Sequence, residues 1–145
     1  MLLEGNAAPA WTGSDQAGVR RSSDEYAGSW LLLYFYPEDD TPGCTTEACG
    51  FRDQFRTFQG RATIVGVSAD GIDSHKKFSE KYHLPFTLIA DPDKQIMTAY
   101  GAGTDFRKRV TFLINPAGVI EKIYQGFDVK EHADVIDGDL RALGV

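Results

Sequence analysis

Residues 30–36, "WLLLYFY", form an apolar run of strand length with no polar alternation. Such a run fits a strand buried on both faces, and Pro37 ends it. Beyond Thr41 the period changes. Cys44, Ala48, Phe51, Phe55 and Phe58 recur at spacings of four, three, four and three, the core-facing stripe of an amphipathic helix. Thr41 fits the N-cap, Pro42 the first helical position and Gly60 the residue past the end, so a single helix is expected up to Gly60. Cys49 falls off the stripe, with Arg52, Asp53 and Arg56. One cysteine faces inward and the other faces the polar side.

The same reading continues along the chain. Residues 1–29 read as loops with a short hairpin around "DQAG". "ATIVGVSA" (62–69) and "PFTLIA" (85–90) are strands, each followed by a helical segment, "SHKKFSEKYH" and "DKQIMTAYG". "RVTFLIN" and "VIEKIYQ" flank the turn "PAG" as an antiparallel hairpin. A closing helix over "DVKEHADVIDGDLRAL" carries Val129, Ala133, Ile136 and Leu140 on one face. The order β-α-β-α-β-α-β-β-α predicts one three-layer α/β domain over residues 1–145, with parallel strands in the middle and an antiparallel edge.

Composition narrows the function classes. Apolar residues make up 42% and charged residues 25%, which is the balance of a soluble domain. A formal charge of −6 argues against nucleic acid as a partner. The basic stretches "GVRR" and "FRKR" read as solvated loops. No apolar run approaches bilayer length, and no signal-peptide pattern is visible, so a cytoplasmic protein without a membrane partner is expected. Two cysteines are too few for a disulfide framework. In a reducing compartment, two thiols five positions apart point to redox or metal chemistry.

Cys44 occupies the first turn of a helix that starts just beyond the carboxyl end of a buried strand, where ligands bind in open α/β sheets. Free N–H groups and the positive end of the helix dipole favour the thiolate, the nucleophilic form. The Thr41 hydroxyl would cap the Cys44 N–H or reach the sulfur. The bland alternative makes Cys44 a small buried hydrophobe on the core stripe. Glu47 reads either as a plain first-turn carboxylate or as one that positions local water or Arg52, and Asp39 and Asp40 as a solvated loop before the helix. His75, His83 and His132 lie far apart in sequence and read as surface residues. No metal and no cofactor is expected.

The segment "YFYPEDDTPGCTTEACGFRD" resembles the active-site segment of the bacterioferritin-comigratory, or PrxQ, class of peroxiredoxins. "APAW…DQAG", "VGVSAD", "PFTLIAD" and "KRVTFLINPAGVI" extend the resemblance over most of the chain. It implies a thioredoxin-like fold with a central mixed sheet flanked by helices, and reduction of hydroperoxides. It makes Cys44 the peroxidatic cysteine and Cys49 the resolving one, with Pro37 shielding the sulfur and Thr41 beside it. An arginine before the late strand falls on Arg109, with Arg107 the weaker candidate. The resemblance also implies thioredoxin or a similar dithiol as reductant, and a monomer. One departure is that only "GAGTDFRK" separates Tyr100 from Arg109, where the class often has a long loop with a tryptophan.

Other chemistries fit less well. A general thiol–disulfide oxidoreductase would carry Cys-x-x-Cys, and here four residues separate the thiols. A zinc site lacks a second ligand pair. A redox-sensing module shares its first step with a peroxidase. An ideal helix puts the two Cα atoms roughly 8 to 9 Å apart and pointing about 140° away from each other, beyond disulfide reach. Oxidation must therefore unwind the helix.

Overall fold

The computed structural model describes residues 2–102 and 109–145. A single mixed sheet of seven strands runs through it in the order β2-β1-β5-β4-β3-β6-β7. These strands are β1 Thr12–Asp15, β2 Arg20–Ser22, β3 Trp30–Phe35, β4 Ala62–Ser68, β5 Thr87–Ala90, β6 Val110–Ile114 and β7 Ile120–Gln125. β3, β4 and β5 are parallel neighbours. Antiparallel hairpins close both edges: β6 and β7 beyond β3, and β1 and β2 beyond β5. The late hairpin was legible as an antiparallel edge, and the "DQAG" turn makes the other one.

Alternation along β3 separates two cores. Leu32, Tyr34 and Tyr36 face a layer that includes Cys44, Ala48, Phe51, Phe58, Phe78, Ile136 and Leu140. Leu31, Leu33 and Phe35 face the opposite layer with Trp11, Ile96, Met97 and Tyr100. The continuous apolar run of β3 is thus explained by burial on both sides. On the first face lie α1 (Pro42–Asp53), α2 (Phe55–Phe58), α3 (Ile72–Tyr82) and α5 (His132–Ala142); α4 (Gln95–Ala99) covers the second.

Three local expectations change. The helix read as continuous to Gly60 breaks at Gln54, so Phe55 and Phe58 belong to a separate turn. The closing helix starts at His132, leaving Val129 in the preceding loop while Ala133, Ile136 and Leu140 are buried. His75 and His132 are 0% and 1% exposed, not surface residues, whereas His83 is exposed and ends α3 in a left-handed conformation. His75 shares the inward face of α3 with Phe78. His132 stacks on Phe127 with ring centroids 3.5 Å apart and bonds Thr111 at 2.8 Å. Burial pushes the His132 imidazole down to about 4, so the ring is neutral.

Candidate active site

The antiparallel pairing of β3 with β6 sets Phe35 opposite Val110. Arg109, one residue before Val110, therefore lands beside the loop that leaves β3 and enters α1. This register brings together residues more than sixty positions apart. Arg109 Nη1 donates to Cys44 Sγ at 3.2 Å and to Glu47 Oε1 at 3.2 Å. Gly43 makes the approach possible, because a Cβ there would collide with Nη2 of Arg109. Cys44 is 1% exposed and Glu47 also 1%.

The electrostatics of the cluster follow from that burial. Desolvation pushes the Glu47 carboxyl up to about 7 even though Arg109 pulls the other way. Burial alone would lower Arg109, but the hydrogen bond to Cys44 and the nearby Cys44 and Glu47 charges hold it above its ordinary value. Glu47 Oε2 has no partner among the described residues. A permanent cation is thus fixed against the sulfur by a carboxylate that has given up most of its solvation.

The singled-out residues that lie among the described ones each have a definite place. Thr41 is the N-cap residue by backbone geometry, but its side chain makes no cap bond; the hydroxyl donates to the Glu38 carbonyl at 2.9 Å. The expected cap of the Cys44 N–H is therefore not made, and the hydroxyl proton that could have reached the sulfur goes to Glu38 instead. Pro37 lies in the same loop, partly exposed. Asp40 is exposed as expected, bonded to Lys81 at 2.7 Å and to Tyr82 at 2.6 Å. Asp39 is not solvated: it is 9% exposed and enclosed by side chains of α3. Arg52 bonds the Tyr82 carbonyl at 2.8 Å, so Glu47 serves Arg109 instead. Arg107 and most of the short "GAGTDFRK" loop lie outside the described residues.

Cys49 shares α1 with Cys44, and both are free thiols. Cys49 is partly buried, and that burial pushes its thiol up, with Asp53 adding to the effect and Arg52 opposing it. Among the described residues a guanidinium is hydrogen-bonded to the Cys44 sulfur, whereas Cys49 feels Arg52 as a nearby charge.

The chain as a whole resembles known proteins. The model of the AhpC/TSA family matches residues 5–123. The chain belongs to the AhpC/TSA family. The peroxiredoxin named bcp from Coxiella burnetii is 39% identical over 146 residues, covering 94% of this chain and 97% of that one. The crystal structure of peroxidoxin BcpB from Mycobacterium tuberculosis superposes with a TM-score of 0.90 at 30% identity, over 98% of each chain. That of the Xanthomonas campestris bacterioferritin comigratory protein, described for its alkyl peroxide reduction activity, gives 0.86 at 32%, over 93% and 92%. This peroxiredoxin therefore has the thioredoxin-like fold expected from its sequence, and its activity is that of a thiol peroxidase of the bacterioferritin-comigratory class.

Proposed function

We propose that Cys44 is the peroxidatic cysteine, that Cys49 resolves it within the same chain, and that thioredoxin or a similar dithiol recycles the product. The observation that carries this reading is the Arg109 guanidinium on the Cys44 sulfur at the first turn of α1. The Cys44 thiolate attacks one oxygen of a hydroperoxide. An S–O bond forms, the O–O bond breaks, and the departing oxygen takes a proton to leave as water or an alcohol. Negative charge develops on that oxygen, where Arg109 and the first-turn N–H groups are fixed donors. The Thr41 hydroxyl, its proton engaged by Glu38, keeps lone pairs free to accept from the peroxide O–H. Pro37 shields the sulfur from the solvent side.

The product is a sulfenic acid on Cys44. Cys49 attacks that sulfur, an S–S bond forms and water leaves. The raised Cys49 thiol suits this order of events, since it is a poor nucleophile while α1 is folded. Reduction by a dithiol through a mixed disulfide returns both thiols. Hydrogen peroxide and organic hydroperoxides are the substrates, the second class supported by the Xanthomonas relative. Resolution within one chain needs no second subunit, which favours a single-domain monomer, and the bacterial relatives favour the cytoplasm.

Hydrogen peroxide consumption driven by a reduced dithiol, with insulin reduction as the control for general disulfide exchange, tests the reading. Cys44→Ser abolishes peroxide consumption. Cys49→Ser gives one stoichiometric turnover to a trapped sulfenic acid. A Cys49→Ser protein inert to peroxide would reverse the assigned roles.

A further inference from the structure

The loop between β3 and α1 holds a buried acid that the peroxidase chemistry leaves unused. Asp39 Oδ1 accepts from the Tyr36 hydroxyl at 2.5 Å. Its Oδ2 accepts from the Ser74 hydroxyl at 2.8 Å and lies 2.7 Å from His75 Nδ1. His75 sits in the first turn of α3 with a fully buried side chain, and the Asp39 side chain is 4% exposed. The other ring nitrogen, Nε2, is 3.1 Å from the Ile89 carbonyl oxygen.

Donors and acceptors then fix the protons. A carbonyl oxygen has none to give, so His75 Nε2 carries one. A neutral ring in that tautomer would turn a lone pair on Nδ1 toward a carboxylate oxygen, a repulsion that low dielectric magnifies. A second proton must therefore lie between Nδ1 and Asp39. Two hydroxyls already donate to this carboxylate, which favours its charged form and leaves the proton on Nδ1. The Tyr36 hydroxyl, 3.4 Å from Nδ1, is committed to Asp39 at the shorter distance.

We infer that Asp39 and His75 form a buried, charged positioning pair for the peroxide step, acting through the loop that carries Pro37 and Thr41. Asp39 stands two residues from each of them. Its backbone is held as well, the N–H donating to Asp70 Oδ2 at 2.9 Å, which in turn accepts from the Ser68 hydroxyl at 2.6 Å. A buried ion pair is a poor device for stability alone, since apolar side chains of the same volume serve as well or better. A fully bonded one fixes direction, and direction is what a reacting centre needs. Ligand-type atoms of Asp39, Asp70 and His75 lie within 4.8 Å of one another, as around a cation. Protons from His75, Ser74, Ser68 and the Asp39 amide already occupy these oxygens, so hydrogen bonds hold the cluster together.

Asp39→Asn separates positioning from charge, because its amide can donate to Nδ1 of a neutral ring while its carbonyl accepts from Tyr36. Asp39→Ala and His75→Leu remove the link. Stopped-flow fluorescence of the reduced proteins gives the second-order rate with hydrogen peroxide and, separately, the rate of disulfide formation. The peroxide rate is expected to fall about tenfold or more in Asp39→Ala and His75→Leu and to stay within about threefold in Asp39→Asn. Disulfide formation is expected to be unchanged in all three. NMR of protein labelled with ¹⁵N-histidine should show both ring nitrogens of His75 protonated, and Nδ1 bare in Asp39→Asn. Unchanged peroxide rates in Asp39→Ala or His75→Leu, an equal loss in Asp39→Asn, or a bare Nδ1 in the parent would each overturn the inference. Should the two deletions fail to fold, the parent's NMR spectrum and the Asp39→Asn rate decide it. The inference rests on Cys44 as the residue that peroxide oxidises. Failure of that reading shows instead as peroxide consumption by Cys44→Ser, while the ring protons are read independently.

Discussion

Residues 37–41 and the helix they lead into are consecutive, yet they are held in opposite ways. The loop is pinned from outside by α3: Ser74 and His75 grip Asp39, and Lys81 and Tyr82 grip Asp40. Asp40 has φ 56°, a left-handed backbone that an aspartate tolerates and that these bonds stabilise. Helix α1 has few such ties. Cys44, Ala48 and Phe51 pack apolar surface, Glu47 meets Arg109, and Arg52 reaches the Tyr82 carbonyl. The helix also has a glycine in its interior and breaks at Gln54. A loop tied to α3 by side-chain bonds can keep its place while a thiol-bearing helix held mainly by packing unwinds. The proposed cycle requires this, because the two thiols cannot bond while α1 is intact.

The largest expected effect is in amide exchange. On oxidation, residues 42–52 should lose several orders of magnitude of protection, falling toward that of a frayed segment. Residues 37–41 should keep theirs. Equal protection of α1 in the two states, with the Cys44–Cys49 bond confirmed by mass spectrometry, would remove the contrast between helix and loop. Next comes Arg109→Ala, which should slow the peroxide step by about 10² to 10³, the usual cost of one oxyanion-type donor. Single-turnover rates measure it, and a loss confined to Arg107→Ala would shift the role two residues.

How much of this was legible in the sequence depends on how local each signal was. The apolar run of β3, the stripe through Cys44 and Phe51, and the late hairpin all follow from period and turn residues within a single element. The Arg109–Cys44 contact was reached through resemblance, since only the β3–β6 register places the two side by side. The partner of Glu47 lies sixty-two residues away, so the surrounding sequence does not show it. A clue did exist: Glu47 sits three residues after Cys44, on the flank of the apolar stripe. His75 likewise falls three residues before Phe78, in phase with the buried face of α3. Asp39 carried no local sign of burial, because its donors come from another helix. For Thr41 the deciding partner is local: the Glu38 carbonyl takes the hydroxyl proton, and the lone pairs make no cap bond.

Glu47 gives the third effect, one of pH. In the folded protein it keeps its proton up to about pH 7, against an ordinary 4.5 when unfolded. Between those values the folded state binds more protons, so this residue makes stability fall as pH rises from 4.5 to 7 and leaves it level above. Glu47→Gln should remove that slope and make the protein more stable than the parent at pH 8, by up to roughly 3 kcal/mol. His132, neutral down to about 4, contributes a slope of opposite sign over an overlapping range. It is common to both proteins and cancels in the difference. Urea unfolding at pH 5 and pH 8 measures the effect, and an unchanged slope in the variant would assign the titration elsewhere.

The smallest effect is the sharpest probe of how loosely α1 is held. Gly50 is the residue beside Cys49, inside the helix, and among the described residues a Cβ there would meet the Val129 carbonyl oxygen at 3.9 Å, an ordinary contact. Alanine fits that space without strain and favours the helical state by about 1 kcal/mol over glycine. That is roughly a fivefold smaller population of unwound helix. Neither the loop nor the Arg109 cluster is touched, so the peroxide rate of Gly50→Ala should match the parent. Disulfide formation, which waits on unwinding, should slow about fivefold, and the sulfenic acid should persist long enough to be over-oxidised at lower peroxide concentration. Quench-flow with a sulfenic-acid trap separates the two steps. If both rates match the parent's, unwinding of α1 does not limit resolution, and the interior glycine has no part in the cycle.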